Sequence, residues 1–208
     1  ENVHISGDLN HIDCRFPVQN VIRPQDDKFH DYRAYAGRIA GGVFREGDRV
    51  MVMPSGFTTS IKAINSPEGV VKEAFAPMSV SLQLEDEIDI SRGDMIVREN
   101  NSPQNSQDID LMICWLNEKK LVEGGMYIVK HTTREVRCMV KEILYKIDIS
   151  QLRRIENEKE FGANDIGRVI LRTTQPLFFD SYRRNRNTGS LILIDENTNE
   201  TVGAGMIV

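Results

Sequence analysis

Apolar residues in this chain recur at every second position in short runs, and nowhere do they hold helical spacing over an ordinary helix length. Residues 78–84 show the pattern clearly, with Val80, Leu82 and Leu84 alternating against Ser79, Ser81 and Gln83. That is a strand with one buried and one wet face. The same reading predicts strands at 14–22, 35–44, 49–53, 58–64 and 95–98. A second set follows at 109–116, 126–130, 134–147, 166–172, 177–179, 191–194 and 201–208. The run Leu191-Ile192-Leu193-Ile194 is too short for a helix and lies between turn residues, so it reads as a buried strand. The final run carries Gly203 and Gly205, which inside a strand mark a bend or a close backbone approach. These two runs, joined through Asn197-Thr198-Asn199, predict a closing hairpin. Short strands separated by glycine turns predict an all-β barrel or sandwich architecture. The charged stretch 150–161 offers only Leu152 and Ile155 as apolar positions before Phe161 and is read as an ordered loop.

Two polar stretches divide the chain. Residues 1–11 are short, polar and carry Gly7, and read as a linker arriving from something upstream. Residues 100–108 read Asn-Asn-Ser-Pro-Gln-Asn-Ser-Gln-Asp, without periodicity. The expected organisation is therefore a linker over 1–11, a first β unit over 12–100, a second linker over 101–108, and a second β unit over 109–208.

Composition adds limits. A chain of 208 residues that is 40% hydrophobic and 27% charged can bury a core. Net charge is −5, and it is uneven: residues 1–100 hold 11 Lys/Arg against 16 Asp/Glu, and residues 101–208 hold 15 of each. Broad nucleic-acid electrostatics is not indicated. Cys14, Cys114 and Cys138 are odd in number and form no Cys-x-x-Cys, which predicts buried free thiols in a reducing compartment, the cytoplasm. No apolar run approaches the length of a membrane-spanning helix.

Several motifs carry a resemblance. The tail holds Tyr182-Arg183-Arg184-Asn185-Arg186-Asn187-Thr188-Gly189-Ser190, then Leu191-Ile192-Leu193-Ile194-Asp195, and closes on Thr201-Val202-Gly203-Ala204-Gly205-Met206-Ile207. The first half holds Phe16-Pro17-Val18-Gln19 with Arg23-Pro24, Tyr35-Ala36-Gly37-Arg38-Ile39-Ala40-Gly41-Gly42 with Gly47-Asp48, and Glu87-Ile88-Asp89-Ile90-Ser91-Arg92-Gly93-Asp94. Over about residues 12–208 the chain resembles the large, GTP-hydrolysing subunit of bacterial sulfate adenylyltransferase (ATP sulfurylase), a relative of elongation factor Tu. The resemblance implies two consecutive β-barrels of the translation-factor domain 2 and domain 3 type. The family's GTPase domain is not among these residues, since no Gly-x-x-x-x-Gly-Lys-Ser/Thr phosphate loop and no Asn-Lys-x-Asp motif occurs. GTP and Mg would belong to that domain, leaving no cofactor and no catalytic or metal-binding residue here. The implied partners are the small catalytic subunit, which makes adenosine 5′-phosphosulfate from ATP and sulfate, and the chain's own GTPase domain. An uphill synthesis driven by GTP hydrolysis elsewhere must be coupled through a conformational change. The barrels would then be a docking and relay module. An adenylylsulfate kinase domain is not within these residues, because Val208 follows the closing motif directly.

Candidate chemistry is sparse. Arg183, Arg184 and Arg186 form the most basic cluster, suited to carboxylate or phosphate, and equally readable as a solvated turn with one arginine paired. Asp86, Glu87, Asp89 and Asp94 suggest a cation site, but Glu87 and Asp89 would share one face while Ile88 and Ile90 take the other, a pattern that needs no metal. Arg92-Gly93-Asp94 is read as turn chemistry. His4, His11, His30 and His131 have no metal-ligand spacing. The alternative function, a tRNA-binding barrel pair of a translation factor, would want basic residues interleaved with aromatics. The acidic first half and Trp115 in an apolar strand disfavour it.

Overall fold

The computed structural model describes residues 9–23 and 32–208. Most of the expected 1–11 linker, the break at Pro24 to Asp27, and His4 and His30 lie outside these. The chain divides into two compact units, 1–102 and 103–208. All regular structure among the described residues is strand.

The first unit contains β1 (Arg15–Ile22), β2 (Ala34–Arg38), β3 (Val43–Arg45), β4 (Arg49–Met53), β5 (Thr58–Ser66), β6 (Gly69–Val71), β7 (Glu73–Phe75), β8 (Ser79–Leu84) and β9 (Met95–Arg98). Six of them hydrogen-bond in the order β4-β9-β1-β2-β8-β5, and β5 pairs back to β4, so the sheet closes on itself. Closure removes the open edges that alternating strands would otherwise present. The alternating apolar residues point inward: Phe16, Val18, Tyr35, Val50, Ile64 and Leu82 are all essentially inaccessible. The expected strand 35–44 is broken after Arg38, and its distal part pairs with β7 in a separate two-stranded ribbon. Gly42 sits at that break with φ 76°, and a Cβ there would lie 2.5 Å from the Cα of Cys14. Only glycine meets both demands.

A polar node ties the start of this unit to its end. Arg15 is 1% exposed, and its Nη1 donates to the carbonyls of Cys14 (2.9 Å) and Asn101 (2.6 Å). Asn101 Nδ2 donates to Asp13 Oδ1 at 3.0 Å, and Asn10 Nδ2 donates to Asp13 Oδ2 at 2.7 Å. A buried guanidinium needs such saturation to be tolerated. Residues 10–15 and 101 therefore belong to the packed unit.

The second unit contains β10 (Gln104–Trp115), β11 (Leu121–Val122), β12 (Met126–His131), β13 (Arg134–Asp148), β14 (Arg153–Ile155), β15 (Glu160–Phe161), β16 (Ile166–Phe179), β17 (Ser190–Ile194) and β18 (Thr201–Ile207). The order β12-β17-β18-β10-β16-β13, closed by β12–β13, is a second six-stranded ring. Trp115 fills its interior edge-on to Tyr127, ring centres 5.3 Å apart, with its indole N–H donated to the carbonyl of Lys119 at 2.8 Å.

Three expectations need correction here. Residues 104–108, read as linker, are strand and pair with the end of β16, Gln104 opposite Phe179. Their polar side chains resemble a loop, but the ladder uses backbone groups, and Gln107 Nε2 donates across to the carbonyls of Thr173 and Thr174. The two runs 166–172 and 177–179 are one strand. The polar interruption is absorbed at an irregularity opposite Ser106 to Asp108, where Thr173 Oγ1 bonds the carbonyls of Gln107 and Gln175. The stretch 150–161 contains β14 and β15, three and two residues long, too short for any periodic signal.

Candidate functional site

The arginine cluster lies in the turn between β16 and β17. The chain leaves β16 at Phe179, buries Asp180, folds through residues 181–189, and enters β17 at Ser190. Two short turns build it: Arg184 and Asn185 N–H groups donate to the carbonyl of Ser181, and Gly189 N–H donates to the carbonyl of Asn185 at 2.8 Å. The turn also clasps the last strand. Tyr182 N–H donates to the carbonyl of Ile207 (2.9 Å), and Ile207 N–H donates to the carbonyl of Gly189 (2.7 Å).

Beneath the turn is a buried polar network. Asn185 Oδ1 accepts the N–H groups of Asn187 (3.0 Å) and Thr188 (3.3 Å). Thr188 Oγ1 donates to Asp180 Oδ2 at 2.7 Å, and His131 Nε2 lies 2.7 Å from the carbonyl of Thr188. A carbonyl only accepts, so this imidazole nitrogen carries the hydrogen. Asp180, Asn185, Thr188 and His131 are all nearly inaccessible, whereas Arg183, Arg184 and Arg186 are exposed. The Arg186 guanidinium lies 5.8 Å from the centre of the Tyr182 ring. The cationic heads are thus carried on a backbone fixed from below. Beside them a concavity of about 550 Å³ is lined in part by Tyr182, Asn187, Ile192, Met206 and Cys114.

Burial holds the His131 imidazole below the ordinary histidine pKa, helped by Arg134 and opposed by the Thr188 carbonyl and Asp180. The native state therefore prefers neutral histidine. That preference is fully present above the unfolded value of about 6.5 and is lost as pH falls from there toward the lowered native value. Acidification from pH 7 to 5 is expected to lower the melting temperature of the second unit, and His131→Gln is expected to flatten that slope. Differential scanning calorimetry across this range checks it.

The other candidates fall elsewhere. Ile88 and Ile90 are buried while Glu87 and Asp89 are exposed, and Asp89 accepts from Arg33 at 3.1 Å. No group of three or more metal-ligating side chains occurs among the described residues. Arg92-Gly93-Asp94 is a turn, with Gly93 at φ 94° and Asp94 Oδ2 accepting the Ser91 N–H. All three cysteines are free; Cys14 and Cys138 are buried, and burial pushes the Cys138 thiol up to about 12. Among the described residues no helix is long and apolar enough to cross a membrane. Sequence reasoning singles out the arginines but not the buried His131 and Asp180 beneath them. The available signal was Asp180 directly after the apolar run Leu177-Phe178-Phe179, an acid placed where it must find a partner.

Comparison with known proteins agrees with this architecture. Residues 108–208 match the family described as GTP-eEF1A C-terminal domain-like. The chain is 51% identical over 209 residues to "Bifunctional enzyme CysN/CysC" of Mycobacterium tuberculosis (strain CDC 1551 / Oshkosh), covering 100% of this chain and 34% of that protein. It is 41% identical over 208 residues to "Sulfate adenylyltransferase subunit 1" of Bacteroides fragilis (strain YCH46), covering 100% of this chain and 43% of that protein. The chain thus spans less than half the length of these relatives. The structure of sup35 complexed with GDP superposes with a TM-score of 0.83 at 18% identity, over 94% of this chain and 47% of that one, a likeness of fold. Residues 108–208 therefore form a GTP-eEF1A C-terminal domain-like domain, and the chain as a whole is a homologue of sulfate adenylyltransferase subunit 1 over that protein's C-terminal domains.

Proposed function

We propose that this chain is the docking and relay module of a GTP-hydrolysing sulfate adenylyltransferase subunit, acting in the cytoplasm, and that its arginine turn meets an acidic surface of the small catalytic subunit. The observation that carries the reading is the braced turn: three exposed arginines on a backbone fixed by His131, Asp180, Asn185 and Thr188. Guanidinium forks carried on a fixed backbone lose less entropy on meeting carboxylates than those on a mobile loop would. Binding and hydrolysis of GTP with Mg belong, in this reading, to a domain outside these 208 residues, and the barrels carry no catalytic group. The nucleic-acid reading is disfavoured by the outer face of β10, β16 and β13, where cations are matched by carboxylates. Arg168 is bidentate to Asp110 (2.8 and 2.6 Å), Arg172 and Lys141 share Asp108, and Lys146 meets Asp165 at 2.8 Å. A self-neutralised face attracts phosphates weakly.

The test is charge reversal of Arg183, Arg184 and Arg186 to Glu in the complete subunit. The expected result is at least a tenfold loss of affinity for the small subunit with the melting temperature of the second unit unchanged, since the heads are exposed and the bracing groups are untouched. Unchanged affinity would sink the assignment.

A further inference from the structure

The hairpin joining β13 to β14 carries two features that the second unit's own packing does not account for. Leu152 has φ 51°, in the left-handed region where glycine and asparagine are the usual occupants. Its side chain is also 84% exposed, and Ile149 in the same turn is 60% exposed. A single exposed leucine is ordinary on a protein surface. One that also holds a left-handed backbone gains nothing from burying its own side chain to offset the strain, and residues in that position point to a role outside the fold. The turn does not depend on either apolar side chain, because Asp148 closes it: Oδ1 accepts the N–H groups of Ser150 (3.0 Å) and Gln151 (3.2 Å) and the Ser150 hydroxyl (2.6 Å).

Two arginines stand beside the tip, both exposed and both held. Arg153 Nε lies 3.6 Å from Asp148 Oδ2, and the Arg154 guanidinium lies 4.6 Å from the centre of the Tyr145 ring. Among the described strands β14 pairs only with β13, so its other edge is open. Apolar side chains, oriented cations and an unpaired strand edge therefore share one end of this hairpin.

We propose that the hairpin tip is a docking plug. Leu152 and Ile149 enter an apolar socket on a protein partner, and Arg153 and Arg154 meet carboxylates on the rim of that socket. An acidic lipid surface has related chemistry, but two apolar side chains and two cations supply less than the paired signals that stable membrane anchoring takes. The partner's identity, the small catalytic subunit, rests on the function proposed above; the plug itself is built from elements separate from the arginine turn.

The experiment uses the complete subunit and its small catalytic subunit as probe. Leu152→Asn, which suits a left-handed backbone, is expected to leave the melting temperature equal or higher while affinity falls at least tenfold. Arg153→Glu combined with Arg154→Glu is expected to weaken binding comparably and to reduce its sensitivity to salt, the arginine turn keeping the remainder. If Leu152→Asn binds as tightly as the parent, the plug is overturned and the docking reading stands. A variant that melts several degrees lower shows that Leu152 serves the fold, which also overturns the plug. If the parent subunit fails to bind the small subunit, both proposals fall. Leu152-dependent binding to phosphatidylserine vesicles, without such binding to the small subunit, overturns the protein socket.

Discussion

A chain stopped after Glu200 is expected to lose its second unit while the first keeps its own melting transition. The strand removed, β18, pairs on one side with β17 and on the other with β10, Leu111 opposite Ile207 and Trp115 opposite Gly203. Without it the ring opens between those two neighbours, and each is left with a row of unpaired backbone groups along an apolar run. Val202 and Ile207 are essentially inaccessible, and Trp115 rests against Gly203. Losing two buried aliphatic side chains costs roughly 1.5–3 kcal/mol each, before the unpaired ladder is counted. Domain stability is only about 5–15 kcal/mol. Calorimetry should show one transition in place of two, accompanied by aggregation. A monomeric truncated protein with both transitions intact would show that the ring does not need this strand.

Replacing Gly189 by alanine is expected to be the most damaging single substitution at the candidate site. An added Cβ would lie 2.4 Å from both the nitrogen and the Cα of Tyr182, and 2.7 Å from the carbonyl oxygen of Asn185. These are backbone atoms, so relief requires the turn to open. Opening it breaks the clasp on Ile207 and shifts Thr188 away from His131 and Asp180. Overpacking of this kind costs about 1–3 kcal/mol, more where backbone bonds are lost with it. For a unit of this size the melting temperature should fall by about 5–20 °C. Affinity for the small subunit should fall with it, because the arginine heads lose their fixed backbone. Arg183→Ala, by contrast, should leave the melting temperature within a degree or two. Equal melting of Gly189→Ala and the parent would contradict the close approach of these two segments.

The parts of this architecture that were legible in the sequence are those whose signal is local. Residues 49–53 and 95–98 read as strands from the sequence and have those same bounds in the structure, because alternation and flanking turns suffice there. The terminal hairpin was legible for the same reason, with Val202 and Ile207 inside and Met206 44% exposed. The ribbons β6, β7, β11 and β15 were not, since two or three residues hold no period. Residues 104–108 misled because side-chain polarity was taken to report on backbone pairing, and the two are independent along a strand whose side chains face water. Ring closure was beyond local reading: β4 meets β9 across more than forty residues, and nothing in either run names the other. The site divides in the same way. Three arginines in four positions are visible to inspection, whereas His131, 57 residues upstream of Thr188, becomes part of the turn only once β12 and β17 are paired.

The claim that these barrels serve as a docking module is tested most directly by isothermal titration of this 208-residue chain with the small sulfate adenylyltransferase subunit, with GTP and tRNA titrated separately. The predicted result is saturable binding of the small subunit that weakens at least tenfold on reversal of Arg183, Arg184 and Arg186, with no heat from GTP or tRNA. Heat from GTP or tRNA at micromolar concentration, with none from the small subunit, would contradict it.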